Sequence, residues 1–217
     1  MPARFRDRTD AGRRLAAELT EYANDPNVRV FGLPRGGVPV AYEVARTLHA
    51  PLDVFIVRKL GVPAHPELAM GAIASGGVRV IDRAVMEQFG VTEAELAAVA
   101  AVEGQELERR ERLYREGRPS PDVAGRTVIL VDDGLATGAT MAAAATALRA
   151  RQPASLIVAV PIAPPETCEA IRVLVDDIIC PVTPEPFVAV GLWYDDFSET
   201  TDEEVRELLA RTAQHAG

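Results

Sequence analysis

The chain has 217 residues, 48% of them hydrophobic and 25% charged, the composition of a globular protein long enough to bury an ordinary core without disulfide or metal support. Its net charge of −9 (23 basic against 32 acidic residues) excludes a general nucleic-acid binder held by a basic field. No apolar run approaches the roughly 18 residues that a membrane-spanning helix needs. The first ten residues, MPARFRDRTD, hold no apolar signal-peptide segment. Cys168 and Cys180 form no C-x-x-C and have no flanking histidine. The expectation is a cytoplasmic protein with reduced, buried thiols.

A first helix is expected from Thr9 or Asp10, either of which can cap it, with Leu15, Leu19 and Tyr22 on one stripe. Residues 28–31 read as a strand, followed by the loop Gly32-Leu33-Pro34-Arg35-Gly36-Gly37 and a helix over 38–48. Residues 53–57 form the next predicted strand. Segments 70–74 and 78–81 flank Ser75-Gly76-Gly77, a hairpin signal because paired glycines supply the positive φ of a tight turn. Residues 92–117 read as one long helix with Glu106–Arg110, Glu108–Arg112 and Glu111–Arg115 at i,i+4 spacing. That pattern fits a solvated face, or less simply an arm for a partner. Arg118-Pro119-Ser120-Pro121 then breaks the helix.

Residues 127–131 are a continuous apolar strand of the kind buried on both faces. An Ala-rich helix runs to Ala150, a strand covers 156–160, a helix 165–174, and a short strand Ile178-Ile179. Strand-then-helix alternation implies an α/β fold with a doubly wound, mostly parallel sheet, here read as one domain over 1–217. Ligands in such sheets bind beyond the carboxyl ends of the strands, which singles out the loops after Phe31, Val57 and Val131.

After Val131 come Asp132 and Asp133, then the small-residue loop Gly134-Leu135-Ala136-Thr137-Gly138-Ala139-Thr140, which opens a helix. Loop amides and a helix N-terminus converge there on one point, and glycines allow close backbone approach, so the loop is a phosphate cradle. The carboxylates cannot hold phosphate; they suit the hydroxyls of an attached sugar or a divalent metal beside it. A Walker loop would need Lys where Ala139 stands, and a G-x-G-x-x-G fingerprint is absent. A phospho-receiver domain would need a lysine at a later strand end, whereas Lys59, the single lysine among 23 basic residues, comes earlier.

The run Val128-Ile129-Leu130-Val131-Asp132-Asp133-Gly134-Leu135-Ala136-Thr137-Gly138-Ala139-Thr140 closely resembles the phosphoribosyl-diphosphate (PRPP) signature of the type I phosphoribosyltransferases. The resemblance extends roughly over 28–197. It implies that Arg35, Gly36 and Gly37 belong to a pyrophosphate loop, in which members of this family often carry a non-proline cis peptide. It further implies that Gly134, Leu135, Ala136, Thr137, Gly138, Ala139 and Thr140 bind PRPP, and that Asp132 and Asp133 hold ribose hydroxyls and Mg²⁺. Arg58 and Lys59, with the hairpin after them, resemble the flexible loop that closes over PRPP, and are expected at the same sheet edge as Arg35 and Asp132. A surface hairpin, and a lysine left by chance in an arginine-rich chain, are the plain alternatives.

Residues 184–200 resemble the hood of the purine phosphoribosyltransferases, with one residue inserted between Phe187 and Asp195. By that likeness Phe187, Trp193 or Tyr194 stacks on an acceptor base and Asp195 contacts it. Four aromatics between 187 and 197 mark either such a platform or a local mini-core. The long 92–117 helix is an insertion relative to the small members of the family. The reaction that the resemblance implies displaces pyrophosphate from PRPP with a nitrogen nucleophile, expected to be a nucleobase, in a Mg-dependent homodimer. No Ser/His/Asp or Cys/His set competes with it; His49, His65 and His215 are scattered. The rivals are a non-catalytic PRPP-binding regulator and a hydrolase with water as acceptor.

Overall fold

The computed structural model describes residues 4–213; His215 and the first three residues lie outside them. In chain order the elements are α1 (Arg8–Ala17), β1 (Val28–Gly32), α2 (Gly37–Leu48), β2 (Leu52–Val54), β3 (Val57–Val62), β4 (His65–Ala74), β5 (Val78–Ile81) and α3 (Arg83–Gln88). They continue with α4 (Glu93–Arg115), β6 (Thr127–Val131), α5 (Ala139–Arg149), β7 (Ser155–Ala159), α6 (Pro165–Arg172), β8 (Asp177–Ile179) and α7 (Asp202–Ala213). Five strands form a wholly parallel sheet in the order β2-β1-β6-β7-β8, and β3-β4-β5 form a separate antiparallel sheet.

Period-two alternation on the central strands builds two cores, because successive side chains leave a strand on opposite faces. Ile129 and Val131 of β6 pack with Val30, Ile157 and Ala159 under α1, α2 and α7. Val128 and Leu130 pack with Phe31, Leu156 and Val158 under α5 and α6. A third cluster joins Phe5, Ala11, Ile162 and Tyr194, with Phe187, Val190 and Trp193 packed against it.

Several boundaries differ from the sequence reading. The cap of α1 is Asp7, whose carboxylate accepts from the Asp10 amide at 2.7 Å; Thr9 and Asp10 sit inside the first turn. The helix ends at Ala17, so Tyr22 falls in a separate 3-10 turn (Thr20–Tyr22). The strand expected over 53–57 stops at Val54, and Val57 begins the second sheet. That break is fixed by Ser75, a buried residue whose hydroxyl accepts from the Ile56 amide (3.0 Å) while its own amide donates to Ile56 O (2.9 Å). Two helices, α3 and α7, are additions to the sequence reading, although Thr201 caps α7 by accepting from the Glu204 amide and Val205 and Leu209 bury an i,i+4 stripe.

The long helix is more than a solvated face. Thr92 and Glu95 form a capping box at its start, and the three expected i,i+4 pairs are present at 2.7, 3.5 and 2.6 Å. Leu96, Ala100, Leu107 and Tyr114 are buried, so one stripe of α4 covers the β3–β4 arms and α7. Arg115 is 4% exposed and bonds Asp53 (3.2 Å), Glu111 (2.6 Å) and the Val54 carbonyl (2.9 Å). It locks α4 to the edge strand β2. Arg115→Met is expected to lower stability by about 3 kcal/mol in urea denaturation, because it strands buried partners. Arg112→Ala, which breaks an exposed pair, is expected to change it by less than about 0.5 kcal/mol.

Candidate functional site

The site forms where β1 and β6 end side by side. The Leu33 amide donates to Val131 O at 2.9 Å, which lays the Leu33–Gly37 loop across the two aspartates. A Cβ on Gly37 would lie 2.8 Å from Asp132 Cα and from Val131 O, and one on Gly36 would overlap the Asp133 carboxylate. No larger residue fits at either place. The Pro34–Arg35 peptide is cis.

The two acids have different surroundings. Asp132 lines a cavity of about 170 Å³ together with Gly134–Met141, and accepts from the Asp133 amide at 2.9 Å. Burial, and then the charge of Asp133, push its carboxyl well above the usual carboxylate range. Asp133 accepts from Arg8 Nε at 2.8 Å, and its carbonyl accepts from the Tyr194 hydroxyl at 2.6 Å. Burial raises the Asp133 carboxyl against the opposing pull of Arg8.

Beyond the acids, the Leu135 amide donates to Ile162 O, and Thr167 Oγ1 donates to Ala136 O at 2.7 Å. These bonds pin the loop to the end of β7 and the start of α6. Gly138 caps α5 in the left-handed region (φ 72°), where a Cβ would also meet Thr167 at 2.8 Å. The amides of Ala136, Thr137, Gly138, Thr140 and Met141 find no acceptor among the described residues. They converge on the cavity from a helix N-terminus, an arrangement suited to an anion.

Every side-chain cation placed here by the sequence is already ion-paired. Arg35 pairs with Glu199 and lies 3.8 Å from Asp202; Asp202 also accepts from the Tyr114 hydroxyl at 2.5 Å, a bond that with burial pushes that phenol up to about 12. Arg58 reaches Glu103 of α4 at 2.6 Å, and Lys59 reaches Glu67 of β4 at 3.4 Å. Neither Arg58 nor Lys59 emerges beside Arg35 and Asp132, as expected from a strand ending at Val57. Both lie within β3, in the second sheet.

In the hood, Tyr194 is 3% exposed and its ring lies 5.3 Å from Phe5 and 4.9 Å from Phe197. It belongs to a mini-core and does not present a face to a base. Phe187 and Trp193 border that core. Trp193 also lines a cavity of about 650 Å³ with Pro184, Pro186, Val188 and Leu192. Asp195 sits 3.9 Å from Arg4. The residues missed in the sequence are Arg8, Glu199 and Asp202. They come from the two ends of the chain, and no local spacing relates them to Asp133 or Arg35.

The parallel sheet, acidic strand end and added antiparallel hairpin make this the α/β architecture of the type I phosphoribosyltransferases. The chain belongs to the phosphoribosyl transferase domain family, whose profile matches residues 6–195. It is 46% identical over 207 residues to a Mycobacterium tuberculosis protein (strain H37Rv) with a provisional phosphoribosyl transferase name, covering 95% of this chain and 46% of that one. The chain thus spans about half the length of the curated relatives it matches. TT1426 from Thermus thermophilus is similar in structure at 42% identity and a TM-score of 0.86, covering 96% of this chain and 98% of that one. AQ2163 from Aquifex aeolicus shares the fold at 13% identity and a TM-score of 0.50, covering 85% and 78%.

The raised carboxyl of Asp132 has a definite sign in stability. Its folded pKa lies above the unfolded value near 3.9, so the buried charge costs stability as pH rises through the folded pKa. Asp132→Asn is therefore expected to raise Tm at pH 8 by a few degrees, with the gain shrinking toward acid as the native carboxyl takes up its proton. Thermal denaturation across that range checks it; a gain that grows toward acid would contradict the burial argument.

Proposed function

We propose that the chain is a phosphoribosyltransferase that displaces pyrophosphate from PRPP with a nitrogen nucleophile, most simply a nucleobase. The observation that carries this reading is the sharing of one cavity by the Asp132 carboxylate and the acceptor-free amides of the Ala136–Met141 stretch. A sugar phosphate satisfies both ends of that cavity at once, with its 5′-phosphate on the amides and helix N-terminus and its ribose hydroxyls on the acid. Arg35, Gly36 and Gly37 then face the diphosphate, and Arg58 and Lys59 travel with the hairpin as its cover. In the reaction the bond from C1 to the diphosphate oxygen breaks, a nitrogen–C1 bond forms, and the nitrogen's proton leaves to solvent or to the departing pyrophosphate.

A carboxylate beside a diphosphate also fits magnesium, which is held in such sites by one or two carboxylates together with substrate oxygens. Among the described residues no group of three potential ligands occurs, so substrate oxygens and water would supply the rest of the shell. Asp132 is the residue that would hold it, Asp133 being engaged by Arg8, and its chemistry is to offset charge on the leaving group. The protein's own part is to fix the sugar, exclude water and place carboxylate charge beside a ring that becomes cationic.

Trp193, the one tryptophan, is the remaining candidate to stack on the acceptor, with Phe187 beside it. The alternative reading is a PRPP-binding regulator in which no acceptor turns over and Arg35 stays with Glu199 and Asp202 instead of assisting departure of the pyrophosphate. Pyrophosphate release from Mg-PRPP against a panel of purines, pyrimidines and small amines separates the two. Release is expected with one acceptor class, lost with EDTA, with PRPP affinity reduced more than about tenfold by Asp132→Asn. Tight PRPP binding with no release from any acceptor supports the regulator, and absence of PRPP binding overturns both. Trp193 fluorescence is expected to quench on nucleotide binding, and Trp193→Ala to raise the acceptor's KM far more than that of PRPP. Equal effects on both substrates, with lost stability, would place Trp193 with Tyr194 in the mini-core.

A further inference from the structure

We infer that Arg8 is a positioning residue of this site: it neutralises Asp133 and holds that carboxylate beneath the Gly36 loop, so that Asp132 is the acid a ligand meets. The inference rests on the sugar-phosphate reading and divides the labour between two adjacent acids. Asp132 and Asp133 follow the end of β6, and their side chains meet different neighbours. Asp132 lines the cavity with Gly134–Met141, and Asp133 does not.

Asp133 is spoken for by the start of α1. Arg8 Nε lies 2.8 Å from Asp133 Oδ2, with the two side chains only 13% and 14% exposed. A guanidinium so placed is costly to leave unmatched, and Arg8 is matched three times. Its Nη1 donates to Ser198 O at 2.6 Å, and its plane sits 4.0 Å over the Phe197 ring. The entry of α1 that aims it is fixed by the Phe5 amide on Trp193 O (2.9 Å) and the Asp195 amide on Phe5 O (2.8 Å).

The pair also lies directly under the loop assigned to the diphosphate. A Cβ built on Gly36 would overlap the Asp133 carboxylate and come within 3.2 Å of Arg8 Nε. Arg8 therefore acts on a ligand in two ways without touching it. It removes one of two negative charges that an anion would otherwise meet in a protein of net charge −9, and it holds up the floor of the Gly36–Gly37 turn.

The test is a cycle of Arg8→Ala, Arg8→Lys and Arg8→Ala/Asp133→Asn, titrated with inorganic phosphate and with Mg-PRPP by calorimetry, with KM and kcat measured where turnover occurs. Arg8→Ala is expected to weaken both ligands, PRPP by about tenfold, and to raise the KM for PRPP while leaving that of the acceptor in place. Arg8→Lys keeps the charge but loses the Ser198 bond, and is expected to recover PRPP affinity to within about threefold. The double variant is expected to regain at least half of the logarithmic loss, because removing the Asp133 charge removes the need to offset it. A double variant as weak as Arg8→Ala or weaker, or Arg8→Ala with wild-type affinity, overturns the inference and leaves Arg8 as a packing residue. Should Arg8→Ala fail to fold, Arg8→Lys decides: loss beyond tenfold in a folded protein contradicts a role through charge. Wild-type protein that binds phosphate but not PRPP counts against the transferase reading alone, since the cycle is then read with phosphate.

Discussion

The structure depends on the close approach of two loop glycines to two aspartates. β6 is buried on both faces, so it can deliver charge only at its carboxyl end, where Asp132 and Asp133 leave the sheet together. The neighbouring strand β1 ends at the same level and must turn back across that end to begin α2. Gly36 and Gly37 make the turn possible, because any side chain there would overlap the acids or the β6 backbone. The small-residue loop after β6, the entry of α1 and the segment around Tyr194 all lie against that contact.

Electrostatics follow from it. Two adjacent carboxylates in a partly buried place repel each other and lose hydration, so their ionisation is penalised. The chain answers with Arg8 on Asp133 and leaves Asp132 toward the cavity. The cations farther out are matched in turn: Arg35 with Glu199 and Asp202, Arg58 with Glu103, Lys59 with Glu67. These outer pairs are more exposed and correspondingly weak in water, so under the proposed function an anionic ligand would displace Arg35 from its partners at modest cost.

The first described residues meet the segment around Tyr194 over this region. Residues around Phe5 run parallel to those around Tyr194, and the aromatic segment that resembles a base-binding hood is partly consumed in holding them together. Tyr194 illustrates the division: its ring fills the mini-core while its hydroxyl reaches the Asp133 carbonyl. Trp193, one residue earlier, borders a separate open cavity. An aromatic cluster read from sequence is consistent with either use; here Tyr194 is buried in the mini-core, and Trp193 borders both that core and the cavity.

The sequence by itself determined the alternation of strands and helices, the parallel sheet and the small-residue loop after β6. Those features are written in short-range chemistry: apolar runs with a period of two, an acidic strand end, and a small-residue loop opening a helix. The hairpin turn at Gly76-Gly77 and the i,i+4 pairs of α4 were legible for the same reason. The cap at Asp7 and the helix α7 left local signals too, weaker ones that competing residues such as Thr9 and Asp10 obscured. Only the tertiary structure decided which acid faces the cavity, where Arg58 and Lys59 point, and what Tyr194 does. Arg8 lies 125 positions from Asp133, and Arg35 lies 164 from Glu199. Contacts across such separations are set by how layers pack, and no spacing within a segment encodes them.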